Sequence, residues 1–245
     1  MPGLRQLRRL PWHARRLFYL AGGPWLRRGV YERFGSKRYS RPALFDLDAV
    51  LERHLPEPGG VFVEAGAHDG FTQSNTYYME RHRGWSGVLV EAIPRLARTA
   101  SRRRPRSQVV NCALVDDQHA GPTITMRFDD LMSTVAGGAS ERREAADGRS
   151  YTGQRAYAVD VPARTLSALL DETGAGEVDL MCLDLEGLEL AVLRGLDLDR
   201  HAPRFLLVEM LDHDRQRPAF DELLVPRYEA VERPSPYDVL YRRRA

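Results

Sequence analysis

The chain has 245 residues, 43% of them hydrophobic and 29% charged, which suits one large α/β domain with a short appendage. Its net charge of +2 is distributed unevenly, because residues 1–41 carry eleven Lys/Arg and one acid. The remainder of the chain is therefore acidic, and nucleic acid is not expected as a partner. The two cysteines have neither zinc-ligand nor disulfide spacing, and no apolar run reaches the length of a membrane span, so we expect a cytoplasmic protein.

Residues 1–41 are predicted to form a basic, helical N-terminal arm. Apolar residues recur there at helical spacing, with arginines on the opposite face: Leu4, Leu7, Leu10, Leu17, Phe18 and Leu20. Three roles are open. The arm is a cap packed on the domain, a segment that binds a partner protein, or a helix that lies on a membrane surface. The cap is favoured, and membrane contact is the least favoured of the three.

The main domain is predicted to occupy residues 42–245 and to begin with a helix over 43–54. The apolar run Val61–Val63 ends in a turn signal, as a buried parallel strand does. A helical stretch at 77–79 and a second strand at 88–90 follow. Gly66 and Gly70 permit a tight turn and close approach of a ligand. This pattern is typical of the opening βαβ unit of a nucleotide-binding fold, in which Glu91 would accept hydrogen bonds from ribose hydroxyls.

The glycine turn indicates which nucleotide the unit binds. A dinucleotide fingerprint is G-x-G-x-x-G, but the turn here is Gly66-Ala67-His68-Asp69-Gly70, without the middle glycine. Glu64 and Asp69 also place negative charge where a pyrophosphate would need neutralising. Two carboxylates favour a ligand with cationic groups, such as S-adenosylmethionine (SAM), over NAD.

The rest of the chain is predicted to complete a mostly parallel sheet flanked by helices. Residues 129–155 lie between the two strands of a predicted hairpin and are long enough to form a lid over a ligand. The predicted helices are 96–104, 165–172, 188–194 and 219–224. The predicted strands are 108–114, the hairpin pair 123–128 and 156–161, then 178–184, 204–210 and a closing antiparallel pair, 228–231 with 237–241.

Polar residues at strand ends are the candidates for chemistry, because the crevice of an open α/β sheet lies at the carboxyl ends of its strands. Asp184 is predicted to take or orient the proton of an acceptor, with Glu186 opening the next helix. His213 is a candidate base or substrate contact. An alternative is that Asp184, Glu209 and an acid from 212–214 bind Mg²⁺ through oxygen ligands. The sequence leaves metal dependence open.

Two motifs give the chain a family resemblance. The chain contains the run F-V-E-A-G-A-H-D-G…S-N-T-Y…E…G-W-x-G-x-L-x-E-x-x-P and, later, L-D-L-E-G-L-E-L-A-V-L-R-G. With these motifs it resembles the FkbM family of SAM-dependent methyltransferases over roughly Gly59 to Met210. The resemblance implies a class I methyltransferase fold, a Rossmann-like three-layer α/β sandwich. It also implies O-methylation of a hydroxyl on a small molecule such as a sugar or secondary metabolite.

The site residues expected on these grounds fall into two groups. The catalytic candidates are Asp184, Glu186 and His213. The residues expected at the cofactor are Glu64, Gly66, Ala67, His68, Asp69, Gly70, Asn75, Glu91, Ala92, Asn111, Ala113 and Asp184. N- or C-methylation and a non-catalytic scaffold are the alternative functions. The acceptor and the oligomeric state cannot be predicted from these motifs.

Overall fold

The computed structural model describes residues 23–128, 134–135 and 157–245. The predicted amphipathic pattern of Leu4–Leu20 lies outside these residues, as does nearly all of the predicted lid over 129–155, so both stay predictions. The described helices are α1 (Gly23–Arg33), α2 (Leu47–His54), α3 (Tyr77–Arg83), α4 (Pro94–Arg103), α5 (Leu166–Thr173), α6 (Glu189–Arg194) and α7 (His213–Leu224). The described strands are β1 (Val61–Ala65), β2 (Ser86–Val90), β3 (Ser107–Val110), β4 (Ala113–Leu114), β5 (Thr123–Phe128), β6 (Thr134–Val135), β7 (Tyr157–Arg164), β8 (Leu180–Leu183), β9 (Phe205–Glu209), β10 (Tyr228–Glu232) and β11 (Asp238–Arg243).

The main sheet has seven strands in the order β10-β11-β9-β8-β1-β2-β3. Strands β9, β8, β1, β2 and β3 are mutually parallel, and β11 pairs antiparallel with both β9 and β10. The closing antiparallel pair is therefore confirmed. The order of the strands, with this pair at one edge, confirms the predicted class I methyltransferase fold.

Side chains of the central strands alternate between two apolar layers. Val63 packs in a cluster with helices α5, α6 and α7, whereas its neighbour Phe62 packs in a second cluster with α2, α3 and Trp85. Both faces of the sheet are thus covered, which explains why the central strands are nearly continuous apolar runs. The result is the predicted three-layer sandwich.

A second, smaller sheet corrects the prediction of a single strand over 108–114. The chain leaves the main sheet after Val110, and Ala113–Leu114 pairs instead with β7. The predicted hairpin of β5 and β7 is confirmed, and the small sheet has the order β4-β7-β5-β6. Hydrophobicity does not show this break, because residues on both sides of it are apolar: Val109 and Val110 before it, and Cys112 to Leu114 after it.

Two helices begin at residues other than those predicted from the sequence. The helix predicted from Ala43 begins as a one-turn 3-10 segment, Leu44–Asp46, because Phe45 and Asp46 have left-handed backbone angles, and α2 follows it. Helix α7 begins at His213 rather than 219. The Asp212 side chain caps it by accepting a hydrogen bond from the Arg215 N–H, and the helix continues through Pro218.

The described part of the N-terminal arm lies on the main domain. In α1, the Trp25 ring meets the rings of Phe71 and Tyr77 edge to face, at 5.4 and 6.0 Å between centroids. Arg28 donates a 2.6 Å hydrogen bond to the Tyr77 hydroxyl and pairs with Glu32. These are contacts that a cap would make. Within the described ranges, no helix combines the length and the apolar character needed to cross a membrane.

Candidate active site

A cavity opens at the carboxyl ends of β1, β2 and β8, where the sequence predicts the crevice. Nine of the predicted site residues line it: Glu64, Gly66, His68, Asn75, Glu91, Ala92, Ala113, Asp184 and Glu186. Five others do not line it: Ala67, Asp69, Gly70, Asn111 and His213. The cavity is thus built mainly from the loops that follow β1, β2 and β8.

Glu64 lies in this cavity wall, but its carboxylate is engaged within the protein. Its Oε1 accepts a 2.7 Å hydrogen bond from the Asn75 N–H, and its Oε2 accepts bonds from the hydroxyls of Ser74 and Thr76 at 2.9 and 2.6 Å. Arg104 approaches the same oxygen at 3.4 Å. Glu64 therefore holds the segment before α3 in place.

Asp69 is also occupied by internal partners. Its Oδ1 accepts hydrogen bonds from the Phe71 and Thr72 N–H groups, and Arg103 pairs with its Oδ2. Arg103 pairs with Asp69, and Arg104 is shared by Glu64 and Glu80, so these carboxylates do not face a ligand as free charges. The sequence could not show this pairing, because the two arginines lie more than thirty residues further along the chain.

The two glycines of the turn serve different contacts. Gly66 has φ +84°, and a Cβ atom there would lie 1.9 Å from the Asp184 carbonyl oxygen. Gly70 has φ +77°, and a Cβ there would lie 3.0 Å from the Cα of Ala100 in α4. Gly70 thus permits close packing against α4 and does not line the cavity. Gly66 brings the ends of β1 and β8 together.

We expect Gly66→Ala to weaken both folding and cofactor binding. The added methyl group must displace the Asp184 backbone, and overpacking of this kind costs about 1–3 kcal/mol. Gly174→Ala is the matched control, because Gly174 also has positive φ (+61°) but nothing lies within 4 Å of its added Cβ. Titration calorimetry with SAM, together with urea unfolding, should show a loss of affinity only at position 66. Equal effects at both positions would contradict the steric explanation.

Glu91 follows β2 and is held by its own backbone surroundings. Its Oε2 accepts a 2.8 Å bond from the His68 N–H, and its Oε1 accepts a 2.7 Å bond from the Ile93 N–H. Burial raises the pKa of Glu91 to about 7, although these two hydrogen bonds oppose the shift. Asn111 does not line the cavity, but its amide donates 2.8 Å bonds to the Glu91 and Ala92 carbonyl oxygens. Asn111 therefore positions the loop that carries Glu91.

Asp184 and Glu209 form a half-buried pair of carboxyls. They follow or end the adjacent strands β8 and β9, whose residues Leu183 and Val208 are in register. Burial is the main cause that raises the pKa of Asp184, with further contributions from the negative charges of Glu189 and Asp238. Burial also raises the pKa of Glu209, and Asp184 adds to it. The pKa values of both carboxyls therefore lie above their ordinary range, and the pair retains protons toward neutral pH.

The turn between Asp184 and α6 is held by a different acid. Glu189 is fully buried, and its Oε1 accepts hydrogen bonds from the N–H groups of Leu185 and Gly187 at 2.7 and 3.1 Å. Glu186, which lines the cavity, has left-handed backbone geometry with φ +55°. Glu189 thus stabilises an unusual turn that presents Glu186 to the cavity.

Two further expectations gain no support. His213 lies at the start of α7, where its Nδ1 is 3.1 Å from Asp214 Oδ1, and it is not part of the cavity wall. In the described portion of the chain, no group of three or more His, Cys, Asp or Glu residues could hold a metal ion. The geometry therefore does not favour the magnesium alternative.

Sequence reasoning missed several residues in and around the site, among them Cys112, Met126 and Arg104. Cys112 and Met126 line the cavity, on the side of the small sheet. Burial raises the pKa of the Cys112 thiol to about 12, so it is a neutral, apolar wall. Arg104 lies beneath the cavity and bonds Glu80, Thr76 and the Gly70 carbonyl. In a chain with so many arginines, no local signal distinguishes Arg104 from its exposed neighbours.

The strand order and the cavity at the ends of β1 and β2 together define a class I methyltransferase. The model of the methyltransferase FkbM domain matches residues 64–225, about two thirds of the chain. The chain therefore belongs to the FkbM methyltransferase family, and its activity is SAM-dependent methyl transfer. Comparison with curated proteins gave no match.

Solved structures of other methyltransferases are similar at low identity. The S-adenosylhomocysteine-bound methyltransferase of Podospora anserina is 11% identical, covers 96% of this chain and 98% of its own, and has a TM-score of 0.43. The TehB-like methyltransferase of Corynebacterium glutamicum is 12% identical, with 90% and 100% covered and a TM-score of 0.41. An O-methyltransferase of Bacillus cereus is 14% identical, with 80% and 77% covered and a TM-score of 0.40. Similarity at this level does not extend to the acceptor.

Proposed function

We propose that this protein is an O-methyltransferase that acts on a hydroxyl group of a small molecule such as a sugar or secondary metabolite. The observation that supports this most directly is the half-buried Asp184–Glu209 pair, of which Asp184 lines the cavity. Loss of a proton accompanies methylation of a hydroxyl, and a buried carboxylate near neutral pKa can accept that proton. We also propose that the enzyme works in the cytoplasm, as its composition suggests.

The cavity fits SAM through residues of the first two loops. Glu91 is a carboxylate at the end of β2, where it would accept the ribose hydroxyls. Gly66 carries no side chain at the point where the loop approaches the ligand. The Oδ1 atom of Asn75 is buried and accepts no hydrogen bond within the described part of the chain, so it remains able to bind the amino acid part of the cofactor. When bound, SAM supplies an activated methyl group on a sulfonium centre.

Asp184 is the residue we propose for proton transfer. Asp184 lines the cavity, and Glu209 lies beside it at the end of the adjacent strand β9. The ionised form of Asp184 would accept the proton of the acceptor hydroxyl. Alignment of that hydroxyl by Asp184 contributes as well, because orientation dominates reactions of an activated donor.

Use of ¹³C-methyl-labelled SAM tests this proposal. Transfer of label to a hydroxylated compound, with the chemical shift of a methyl group on oxygen, is the expected outcome. Label on nitrogen or carbon would support N- or C-methylation instead. Binding of SAM without transfer to any of a wide range of acceptors would favour the scaffold alternative.

SAM affinity is expected to rise with pH through about 7. The folded-state pKa of Glu91 is raised to about 7, so its carboxylate, the form that accepts two ribose hydrogen bonds, is formed only above that pH. The same shift means that ionising buried Glu91 lowers folding stability between the unfolded pKa and about 7. Calorimetric titrations from pH 5.5 to 8.5 check the affinity.

Glu91→Gln is the control for this pH dependence. The amide keeps the size of the side chain but does not titrate, so SAM binding should be weaker by about 1–3 kcal/mol and independent of pH in this window. A pH dependence that persists in Glu91→Gln would assign the titration to another group.

A further inference from the structure

Three chain segments bring exposed apolar side chains to the sheet edge beside the acid pair. Phe45 precedes α2, Tyr237 precedes β11, and Leu211 follows β9; their exposed fractions are 52%, 43% and 39%. The rings of Phe45 and Tyr237 are 6.3 Å apart between centroids, with their planes inclined by 53°. The two rings therefore form an open, solvent-exposed angle. We call Phe45 and Tyr237 the aromatic corner.

Backbone contacts place this corner next to the site. The carbonyl oxygen of Tyr237 accepts a 2.7 Å hydrogen bond from the Met210 N–H, and the next residue, Asp238, is the ladder partner of Glu209. On the other side, Ala43 forms a parallel bridge with Gln73, which lines the cofactor cavity. Both segments that carry the rings are thus attached to the walls of the site.

Phe45 is kept in an unfavourable conformation. Its φ of 51° and ψ of 22° are left-handed, a region that bulky residues rarely adopt, and the following Asp46 is left-handed as well. Core packing does not explain this, because half of the Phe45 side chain is exposed. Strained backbone that is retained without a packing role is concentrated at ligand sites.

We propose that the aromatic corner is the acceptor subsite and that it holds a pyranoside ring, an assignment that rests on the proposed O-methyltransferase function. The C–H face of a pyranoside packs against aromatic rings, while its several hydroxyls donate hydrogen bonds. Glu209 Oε2 is buried and accepts no hydrogen bond from any residue that the structure describes, so it can receive one. A phenol has the flat face but too few donors for the neighbouring carboxyls Asp184, Glu209 and Asp238. Aromatic walls with a few converging polar groups are typical of such pockets.

Saturation-transfer NMR on the full chain tests this assignment. The probes are the methyl glycosides of glucose, mannose and rhamnose, with catechol as the phenol arm, each with and without S-adenosylhomocysteine. We expect the ring C–H protons of at least one glycoside to receive saturation, and this signal to fall at least fivefold in Phe45→Gly and in Tyr237→Ala. Phe45→Gly should also have a higher melting temperature, because glycine adopts the left-handed conformation without strain.

Val225→Ala is the matched control. Val225 is similarly exposed, at 40%, but it follows α7 at the end of the sheet where β9 begins, away from the carboxyl ends of the parallel strands. Its variant should keep the full glycoside signal. S-adenosylhomocysteine binding with no glycoside signal, or with signal from catechol alone, overturns the subsite but leaves the proposed function standing. Glycoside binding that survives both corner variants overturns it as well. Failure to bind S-adenosylhomocysteine overturns the proposed function on which the subsite rests.

Discussion

Asp184→Asn is expected to lower the rate of methyl transfer by about 10²–10⁴, the contribution typical of a positioned acid or base. The substitution keeps the size of the side chain and the turn after β8 but removes the carboxylate that would accept the proton. SAM affinity should change little. Single-turnover assays with a hydroxylated acceptor measure the rate, and calorimetry measures SAM binding.

The pH profile separates a base from a merely structural carboxylate. Because burial raises the pKa of Asp184, the wild-type rate should rise with pH as Asp184 ionises, and this rise should be absent in Asp184→Asn. Glu209→Gln keeps a hydrogen-bond donor toward Asp184 and should lose less activity. Asp117→Asn, an exposed acid in the loop after β4, is the control and should behave as wild type. Full activity in Asp184→Asn would remove Asp184 from proton transfer.

Arg104→Met is expected to lower the free energy of unfolding by about 3–5 kcal/mol, the cost of leaving a buried charge without its partner. The Arg104 side chain is fully buried, with its Nε 2.7 Å from Glu80 and its Nη1 3.4 Å from Glu64. Methionine has a similar length but no donors. Glu64 and Glu80 would therefore stay buried without their cation. Urea unfolding measures the change.

The control lies two residues earlier on the same helix. Arg102 is exposed, so Arg102→Met should change the stability by no more than about 0.5 kcal/mol. Arg104→Lys keeps the charge but not the fork of donors and should fall between the two variants. Because Glu64 holds the loop before α3, SAM affinity should fall together with stability in Arg104→Met. Stability equal to that of Arg102→Met would show that the two carboxyls find other partners or become protonated without cost.

The expected cofactor contacts and the proposed acceptor contacts lie on different parts of the same end of the sheet. Glu91 and Gly66 follow β2 and β1, whereas the proposed acceptor contacts come from the segments before α2 and β11. Variants at the cofactor side should therefore change SAM affinity, and variants of the aromatic corner should change acceptor binding alone.

The sequence by itself determined most of the segments that form the parallel strands and the position of the crevice. Apolar runs that end in Glu64, Glu91 and Asp184 are local signals, and the carboxyl ends of parallel strands must meet at one edge. The two motifs that contain these acids also identified the family, which the match over residues 64–225 confirms.

Only the tertiary structure showed which charged residues pair with each other. Glu64 and Asp69 appeared as free acids in the sequence, yet Arg104 and Arg103 from α4 compensate them. Likewise, the coupling of Asp184 to Glu209 requires β8 and β9 to be adjacent. The chain has 36 basic and 34 acidic residues, so which of them pair depends on which segments folding brings together, and electrostatic energy depends on distance and burial rather than on position in the chain.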